Sequence, residues 1–242
     1  MRLACREPHS AARVTEITGR DVEANADLAF LLMQRPPGST DHPRLQDAVR
    51  ARREAGRQIV AVNLNRQAFA HSDAASIDRI VARYEAALQA VARAADVSFV
   101  FIPHDYRGPH SDEILLRRIA GRLGGALDVL MPQDRLGADG AKWLAGLSDL
   151  TVTGRMHLAI ASLGAGVPAF VQDYQGKVTG LLSLFDLQEM RFTEDDLAQP
   201  DDFARRVCDA LCRNKDLRAR IAGALPEIRR RSTRNIIGPG ED

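Results

Sequence analysis

Residues 150–168 read LTVTGRMHLAIASLGAGVP. The four residues before Gly154 are apolar or β-branched, which is typical of a buried strand. Residues 156–164 have the composition of a helix rich in small side chains. A strand is therefore predicted to end at Gly154, with a helix beginning almost immediately after it, as in the βα units of parallel sheets.

The same alternation extends in both directions along the chain. Further strands are predicted over residues 57–65, 97–103, 127–131 and 167–172, and further helices over residues 75–95, 111–123 and 140–147. Residues 201–231 are predicted to form two helices with a break near 214–216. Strands that alternate with helices indicate a parallel sheet covered on both faces. We therefore predict an α/β fold, a Rossmann-like parallel sheet with helices on both faces.

The first 53 residues follow a different pattern. Residues 3–6 and 27–33 resemble strand ends, and residues 36–43, PPGSTDHP, are typical of a turn-rich linker. We therefore predict a complete α/β domain over residues 54–242. Residues 1–53 are predicted to be the remnant of an N-terminal domain and its linker.

Composition excludes several classes of protein. The 33 basic and 32 acidic residues nearly cancel, without the basic face that a nucleic-acid-binding protein needs. No apolar run reaches the ~18 residues of a transmembrane segment. The three cysteines do not suggest a disulfide framework, and Cys208 and Cys212 have no further Cys or His nearby to complete a metal site. The chain is predicted to be cytoplasmic, without a metal and without a nucleic-acid partner.

The junction after Gly154 has the features of an anion site. Ligands of doubly wound sheets bind beyond the carboxyl ends of the strands, where a helix N-terminus offers unpaired N–H groups and partial positive charge. Arg155 and His157 add a cation and a titratable group, and Gly154 permits close approach of a backbone. The junction therefore predicts an anion site with a proton-transfer group, although similar junctions also occur as plain structure.

Other predicted strands end in polar residues at the same edge. Tyr174 and Lys177 follow one strand, three residues apart, and His104 follows another. Asn63 and Asn65 close a third. Each is compatible with an ordinary loop or surface position, but together they predict one shared cleft.

In these motifs the chain resembles the polysaccharide pyruvyl transferase family, whose full-length members have a GT-B-like two-domain architecture. The similarity lies in GRMHLAIAS from Gly154, in YQGK at residues 174–177 with Gly180, and in the Ile-Pro-His ending at His104. Residues 3–10, LACREPHS, resemble the family's interdomain Arg-Asp/Glu-x-x-Ser element. Residues 27–30, DLAF, resemble its Asp-Pro-Ala-Phe element, with Leu28 in place of proline.

The resemblance implies a C-terminal, donor-binding half of such an enzyme. Its reaction transfers the pyruvyl group of phosphoenolpyruvate to two sugar hydroxyls of a cell-surface polysaccharide or exopolysaccharide and forms a ketal. The implied partners are phosphoenolpyruvate and a saccharide or lipid-linked saccharide acceptor, and no cofactor is needed. The family's N-terminal half has no counterpart here. We therefore expect a truncated product or a start codon placed too late, with a separate N-terminal half or an oligomer completing the site.

Individual roles follow from the same resemblance. His157 is the predicted acid or base, since an imidazole has a reference pKa of ~6.5, and His104 is the second candidate. Arg155 is expected to grip a carboxylate or phosphate bidentately. The full set of predicted phosphoenolpyruvate-binding residues is Arg6, Asn63, Gly154, Arg155, Met156, Tyr174 and Lys177.

Two other interpretations stay open at this point. A GT-B glycosyltransferase or a sugar-nucleotide epimerase would share the fold. The acidic residue that such enzymes use to contact a ribose has no clear counterpart after residues 167–171, although Asp173 keeps this interpretation open. A non-catalytic remnant would bind the donor, or a partner subunit, without turnover.

Overall fold

The computed structural model describes residues 3–38, 41–69, 72–173 and 177–237. Its strands are β1 (Ala4–Cys5), β2 (Glu23–Ala24), β3 (Gln58–Asn63), β4 (Val97–Phe101), β5 (Val129–Leu130), β6 (Leu150–Thr153), β7 (Ala169–Gln172) and β8 (Arg191–Phe192). Strands β1 and β2 form a small parallel pair. The other six form one parallel sheet in the order β5-β4-β3-β6-β7-β8. The predicted α/β parallel sheet is thus confirmed.

Ten α-helices are found in the described part of the chain. They are α1 (Pro8–Thr18), α2 (Asp41–Glu54), α3 (Ala74–Ala94), α4 (Asp112–Leu123), α5 (Ala138–Gly146), α6 (Met156–Gly164), α7 (Lys177–Ser183), α8 (Glu194–Leu197), α9 (Pro200–Cys212) and α10 (Asn214–Ile237). None of these helices is long and apolar enough to cross a membrane.

The core lies on both faces of the sheet, because neighbouring residues of a strand point to opposite sides. Val60 and Val62 of β3 pack in the larger apolar cluster, with α3 and α9. Ile59 and Ala61 pack in a second cluster, with α5. Helices therefore cover both faces of the sheet, as predicted.

Helix α3 illustrates how sequence pattern and packing agree. Its side chains Ile77, Ile80, Tyr84, Leu88 and Val91 recur at intervals of three and four and are all buried. The carboxylate of Asp73 caps the helix by accepting a hydrogen bond from the backbone N–H of Ser76 at 2.7 Å.

The segment before residue 54 differs from its prediction. Residues 27–33 do not form a strand end, because the Asp27 carboxylate accepts a hydrogen bond from the N–H of Ala29 and caps a 3-10 helix over Leu28–Leu31. Of the predicted linker at 36–43, Ser39 and Thr40 lie outside the described residues, and residues 41–43 are the first turn of α2. Leu45 and Val49 of α2 pack in the same cluster as β3. The domain boundary at residue 53 stays a prediction.

Candidate active site

A cavity of about 420 Å³ opens at the carboxyl edge of the sheet. Residues in the loops after β3, β4, β6 and β7 contribute to it, as expected for a parallel α/β sheet. Its lining consists of Arg6, Asn65, Gln67, His104, Asp105, Arg107, Gly154, Arg155, Met156, His157, Asp173 and Val178. Predicted site residues from three distant stretches, around residues 6, 104 and 154–157, therefore meet in one place.

Gly154 allows two loops to approach closely. A Cβ atom at this position would lie 2.9 Å from the Cβ of Asn65 and 3.0 Å from its backbone nitrogen. The side-chain amide of Asn65 also donates to the carbonyl oxygen of Gly154 at 3.1 Å. The close backbone approach predicted at Gly154 thus brings the loop after β3 against the start of α6.

Arg155 lies below the surface and is held by carboxylates. Its Nε and Nη2 atoms donate to the two oxygens of Asp112 at 3.0 and 2.8 Å. Nη2 also lies 3.3 Å from Asp105, and Nη1 donates to Gln67 at 3.0 Å. The side chain of Arg155 is only 14% exposed. The predicted bidentate grip on a donor anion would therefore require this guanidinium to leave Asp112.

The carboxylate of Asp112 connects several segments around the cavity. Its fully buried carboxylate also accepts hydrogen bonds from the backbone N–H groups of Arg66 and Asp105 and from the amide of Asn63. These contacts tie the ends of β3, β4 and β6 to the first turn of α4. Buried carboxylates are tolerated only when they are paired in this way.

Asn63, a predicted donor-binding residue, does not line the cavity, so its predicted contact with the donor is not supported by its position. It is fully buried, and its amide nitrogen donates to the carbonyl oxygen of Ile102 at 3.0 Å and to Asp112 at 3.1 Å. Its side-chain oxygen accepts from the hydroxyl of Thr153. Asn65, two residues further on, is the asparagine that reaches the cavity.

Arg107 lines the cavity with an exposed side chain, and one edge of its guanidinium is paired with the carboxylate of Asp105. Its Nε and Nη2 atoms donate to the two carboxylate oxygens at 3.0 and 2.9 Å, and its backbone N–H donates to the same group at 3.0 Å. These hydrogen bonds from Arg107, with Arg155 nearby, hold the pKa of Asp105 well below its usual range. Asp105 therefore remains a carboxylate at any physiological pH.

A second cluster of cavity residues, Arg6, Met156 and His157 with Asp27, joins the N-terminal segment to α6. Arg6 donates to Asp27 at 3.2 Å and contacts the sulfur of Met156 at 3.5 Å. The Nε2 atom of His157 lies 3.8 Å from the same Asp27 carboxylate. Arg6 and His157 are 41% and 59% exposed. Three segments far apart in sequence thus place a cation, an anion and an imidazole side by side.

The two predicted histidines have different environments. Burial lowers the pKa of His104 below its ordinary value of 6.5, with a smaller contribution from the charges of His157 and Arg155. A neutral His104 at neutral pH can accept a proton but has none to give from an imidazolium. His157, by contrast, is exposed and lies 3.8 Å from Asp27.

The first turn of α6 faces the cavity without a side-chain cap. Its N-cap residue, Arg155, makes no capping hydrogen bond, and Met156 and His157 both line the cavity. Unpaired N–H groups at a helix N-terminus favour anions. Across the described ranges, no group of three or more His, Cys, Asp or Glu side chains is arranged to hold a metal ion.

The predicted Tyr174–Lys177 pair is only partly covered by the structure. Tyr174 and the Lys177 side chain lie outside the described residues, although α7 begins at Lys177. Gly180, in the same motif, is packed against the N-terminal segment. A Cβ at Gly180 would lie 1.9 Å from Oε2 of Glu7, the carboxylate that caps α1.

Four residues at the site had no specific role in the sequence interpretation. Asp27 was visible only as part of a motif, and Asp105 only as the neighbour of His104. Asp112 has the signature of an ordinary N-terminal acid of a helix. Arg107 stands in a loop with no pattern around it. Their roles depend on contacts between strand ends, which spacing along the chain does not encode.

Comparison with known proteins gives one match at the level of family. The family model for polysaccharide pyruvyl transferases matches residues 2–176. Among curated proteins, no sequence matches this chain significantly.

Solved structures support the fold. One relative is assigned as a UDP-N-acetylglucosamine 2-epimerase from Listeria monocytogenes, with 14% identity, a TM-score of 0.61 and coverage of 96% of this chain and 56% of that one. Another is a UDP-forming α,α-trehalose-phosphate synthase from Burkholderia vietnamiensis, with 14% identity, a TM-score of 0.56 and coverage of 97% and 60%. At such low identity the likeness shows the GT-B-like fold alone.

The chain spans little more than half the length of these solved relatives. The family match is more specific, because it includes the motifs at Arg6, His104 and residues 154–157 that the structure brings to one cavity. With well over half of its length matched by the family model, this chain belongs to the polysaccharide pyruvyl transferase family.

Proposed function

We propose that the cavity binds phosphoenolpyruvate and that His157 supplies the proton for transfer of its pyruvyl group to saccharide hydroxyls. The observation that carries the proposal is the meeting of Arg6, the uncapped start of α6 and His157 around one cavity, in a chain of this family. A small donor with two anionic groups, a phosphate and a carboxylate, needs N–H groups and a cation in one place, and it needs an acid nearby.

The donor anion would be held by the rim. Arg6 uses one Nη1 contact to Asp27 and one Nη2 contact to Met156, which leaves further N–H groups for a ligand. The N–H groups at the start of α6 would hold a second oxygen of the donor. Arg155 would stay on Asp112 and fix the loop from which α6 begins.

The chemistry needs one proton and two hydroxyls. Protonation of the donor's methylene carbon makes the neighbouring carbon electrophilic, and a sugar hydroxyl adds to it. A second hydroxyl then displaces phosphate and closes the ketal, while the two hydroxyl protons pass to bases or solvent. His157 would give the first proton, and the neutral His104 would be available as a base.

The acceptor is proposed to be a saccharide or lipid-linked saccharide. Because this chain covers only 56% and 60% of the two solved relatives, the acceptor-binding part of the complete enzyme is proposed to lie in a further N-terminal half or in an associated subunit. The donor site can be tested without it.

Calorimetric titration with phosphoenolpyruvate tests the proposal. We expect saturable binding that Arg6→Gln weakens roughly 10-fold or more, the effect of losing charge-assisted hydrogen bonds. Arg13→Gln is the matched control, because Arg13 is an exposed arginine whose recorded ion pair is with Glu16 on α1. Absence of phosphoenolpyruvate binding by the folded chain would contradict the proposed donor site.

A second candidate is a nucleotide-sugar site, favoured by the fold of the solved relatives. The acid expected to contact a ribose, Asp173, lines the cavity, but its carboxylate accepts from Arg191 at 3.2 Å and is almost buried. UDP-N-acetylglucosamine in the same titration separates the two candidates. Tight binding of that ligand, without phosphoenolpyruvate binding, would favour the nucleotide-sugar site.

A further inference from the structure

We propose that Arg107 is a further anion-binding residue of this cavity, that it binds the phosphate group of the ligand, and that Asp105 positions it. The proposal rests on the proposed function for the identity of the donor. The exposure and the unused donors of Arg107 do not depend on the motifs at Arg6 or residues 154–157.

The first argument is that Arg107 is both fixed and accessible. Asp105 holds one edge of its guanidinium through two hydrogen bonds and also accepts from its backbone N–H. The Asp105 side chain is only 7% exposed, whereas that of Arg107 is 83% exposed. An exposed arginine normally loses side-chain entropy when it binds a ligand, and this one is already held in place.

The second argument is the number of donors that remain. A guanidinium has five N–H donors, and Asp105 uses one on Nε and one on Nη2. In the part of the chain that the structure describes, Nη1 of Arg107 has no recorded partner, and the residue lines the cavity. By contrast, all three nitrogens of Arg155 are engaged by Asp112, Asp105 and Gln67.

The third argument concerns which group of the ligand Arg107 would meet. Arg107 is the most exposed of the three arginines that line the cavity, and phosphate is the group that must leave towards solvent. The carboxylate stays on the product and would be bound by the N–H groups at the start of α6. Arg6 is paired with Asp27, and Arg107 with Asp105. Because these carboxylates offset the charge of the arginines, binding of the ligand must depend on directed N–H donors more than on net charge.

The test is a set of titrations with phosphoenolpyruvate, inorganic phosphate and pyruvate, which has the carboxylate but no phosphate. We expect Arg107→Gln to weaken phosphoenolpyruvate and phosphate roughly 10- to 100-fold and to leave pyruvate unchanged. Arg107→Lys should restore little, because lysine cannot bind Asp105 and a phosphate as two edges of one plane. The matched control is Arg117→Gln, an exposed arginine of α4 paired with Glu113.

Asp105 is tested as a positioning residue by coupling. Asp105→Asn should weaken phosphate binding in the wild-type background and add little in the Arg107→Gln background. Equal losses in both backgrounds would show a merely structural role.

The outcomes separate this inference from the proposed function. Unchanged affinity of Arg107→Gln for phosphoenolpyruvate and phosphate would overturn the role of Arg107 and leave the donor site intact. Arg107-dependent phosphate binding without phosphoenolpyruvate binding would overturn the donor and support Arg107. Binding of neither ligand by the wild-type chain would contradict both.

Discussion

Two layers of the cavity use the same residue types in opposite ways. The inner layer is defined as Asn63, Asp112 and Arg155. Asn63 and Asp112 are fully buried, Arg155 is only 14% exposed, and both Asn63 and Arg155 pair with Asp112. The rim, defined as Arg6, Arg107 and His157, is exposed and retains unused donors. Arginine in the inner layer fixes strand ends, whereas arginine on the rim is available to a ligand.

The difference shows that residue type does not assign a role. Arg155 lies in the motif that predicts the site most strongly, but its hydrogen bonds stabilise the loops around it. Arg107 lies in no motif, but its contacts are those of a prepared ligand donor. Exposure and the number of unused N–H groups therefore distinguish the two better than sequence position does.

Removing the carboxylate of the inner layer should have the largest effect on stability. Asp112→Ala leaves Arg155 largely buried without its main partner, and we expect the free energy of unfolding to fall by about 3–5 kcal/mol. Urea denaturation measures it. Glu113→Ala, in the same turn of α4, is the control and should cost less than about 1 kcal/mol. Equal losses of unfolding free energy in the two variants would contradict the role of Asp112 in connecting these segments.

A second buried cation, Lys142, sharpens the comparison because it has no salt bridge within the described residues. Its Nζ donates to the carbonyl oxygens of Leu32 and Phe30 at 2.6 and 3.5 Å, at the end of the 3-10 helix that Asp27 caps. Burial lowers the pKa of Lys142 from 10.5 to about 8, with a further contribution from Arg229. The Lys142 cation is thus held beside residues 30–32 at a cost in stability.

That cost predicts a pH dependence. Between pH 8 and 10.5 the unfolded chain binds more protons than the folded one, so stability should rise with pH in this window, by up to about 3 kcal/mol. Urea denaturation across the window measures the slope. Lys142→Met should remove most of the rise. The same slope in this variant would show that other groups cause it.

A smaller effect is expected where the N-terminal segment meets α7. Gly180→Ala places a Cβ against the Glu7 carboxylate, which must then release the backbone N–H groups of His9 and Ser10. Loss of this cap should cost about 1 kcal/mol. Glu7→Ala should cost a similar amount. If the contact is real, the double variant should lose no more than either single one, whereas additive losses would argue against it.

The smallest effect on stability is expected on the rim. His157→Ala should change the free energy of unfolding by less than about 0.5 kcal/mol, because the side chain is largely exposed. In the complete, active enzyme it should lower turnover roughly 10²- to 10⁴-fold. His9→Ala is an exposed control on α1. If His157→Ala retains turnover and His104→Ala abolishes it, the assignment of the acid is wrong.

The central βα units could be predicted from sequence because their signals are local. The predicted strand at 150–153 and helix at 156–164 coincide with β6 and α6, and the predicted helix at 75–95 with α3 to within one residue at each end. Apolar periodicity, Gly154 and the cap of α3 all lie within the elements that they define.

The remaining elements depend on contacts between distant segments. Helix α1 was missed because its only buried residue is Ala11, so it lacks an apolar stripe. Helix α2 is mostly polar, with its apolar contacts concentrated at Leu45 and Val49. The 3-10 helix after Asp27 replaces a predicted strand end, and Lys142 accounts for part of this, since it binds the carbonyl groups at its end.

The site was predictable in position more than in detail. Parallel strands place their ends at one edge, so the cavity and the share of it formed by His104 and residues 154–157 followed from sequence. The pairing of Arg155 with Asp112, 43 residues earlier in the chain, did not, because nothing in the spacing of the two residues records it. For the same reason, the sequence did not indicate that Asn63 would be buried while Asn65 lines the cavity.

A crystal structure with phosphoenolpyruvate bound would test the division into inner layer and rim most directly. The account predicts one anionic group at the N–H groups that begin α6, contacts from Arg6 and Arg107, and Arg155 still paired with Asp112. A ligand gripped by an Arg155 that has left Asp112, with Arg6 and Arg107 facing solvent, would contradict it.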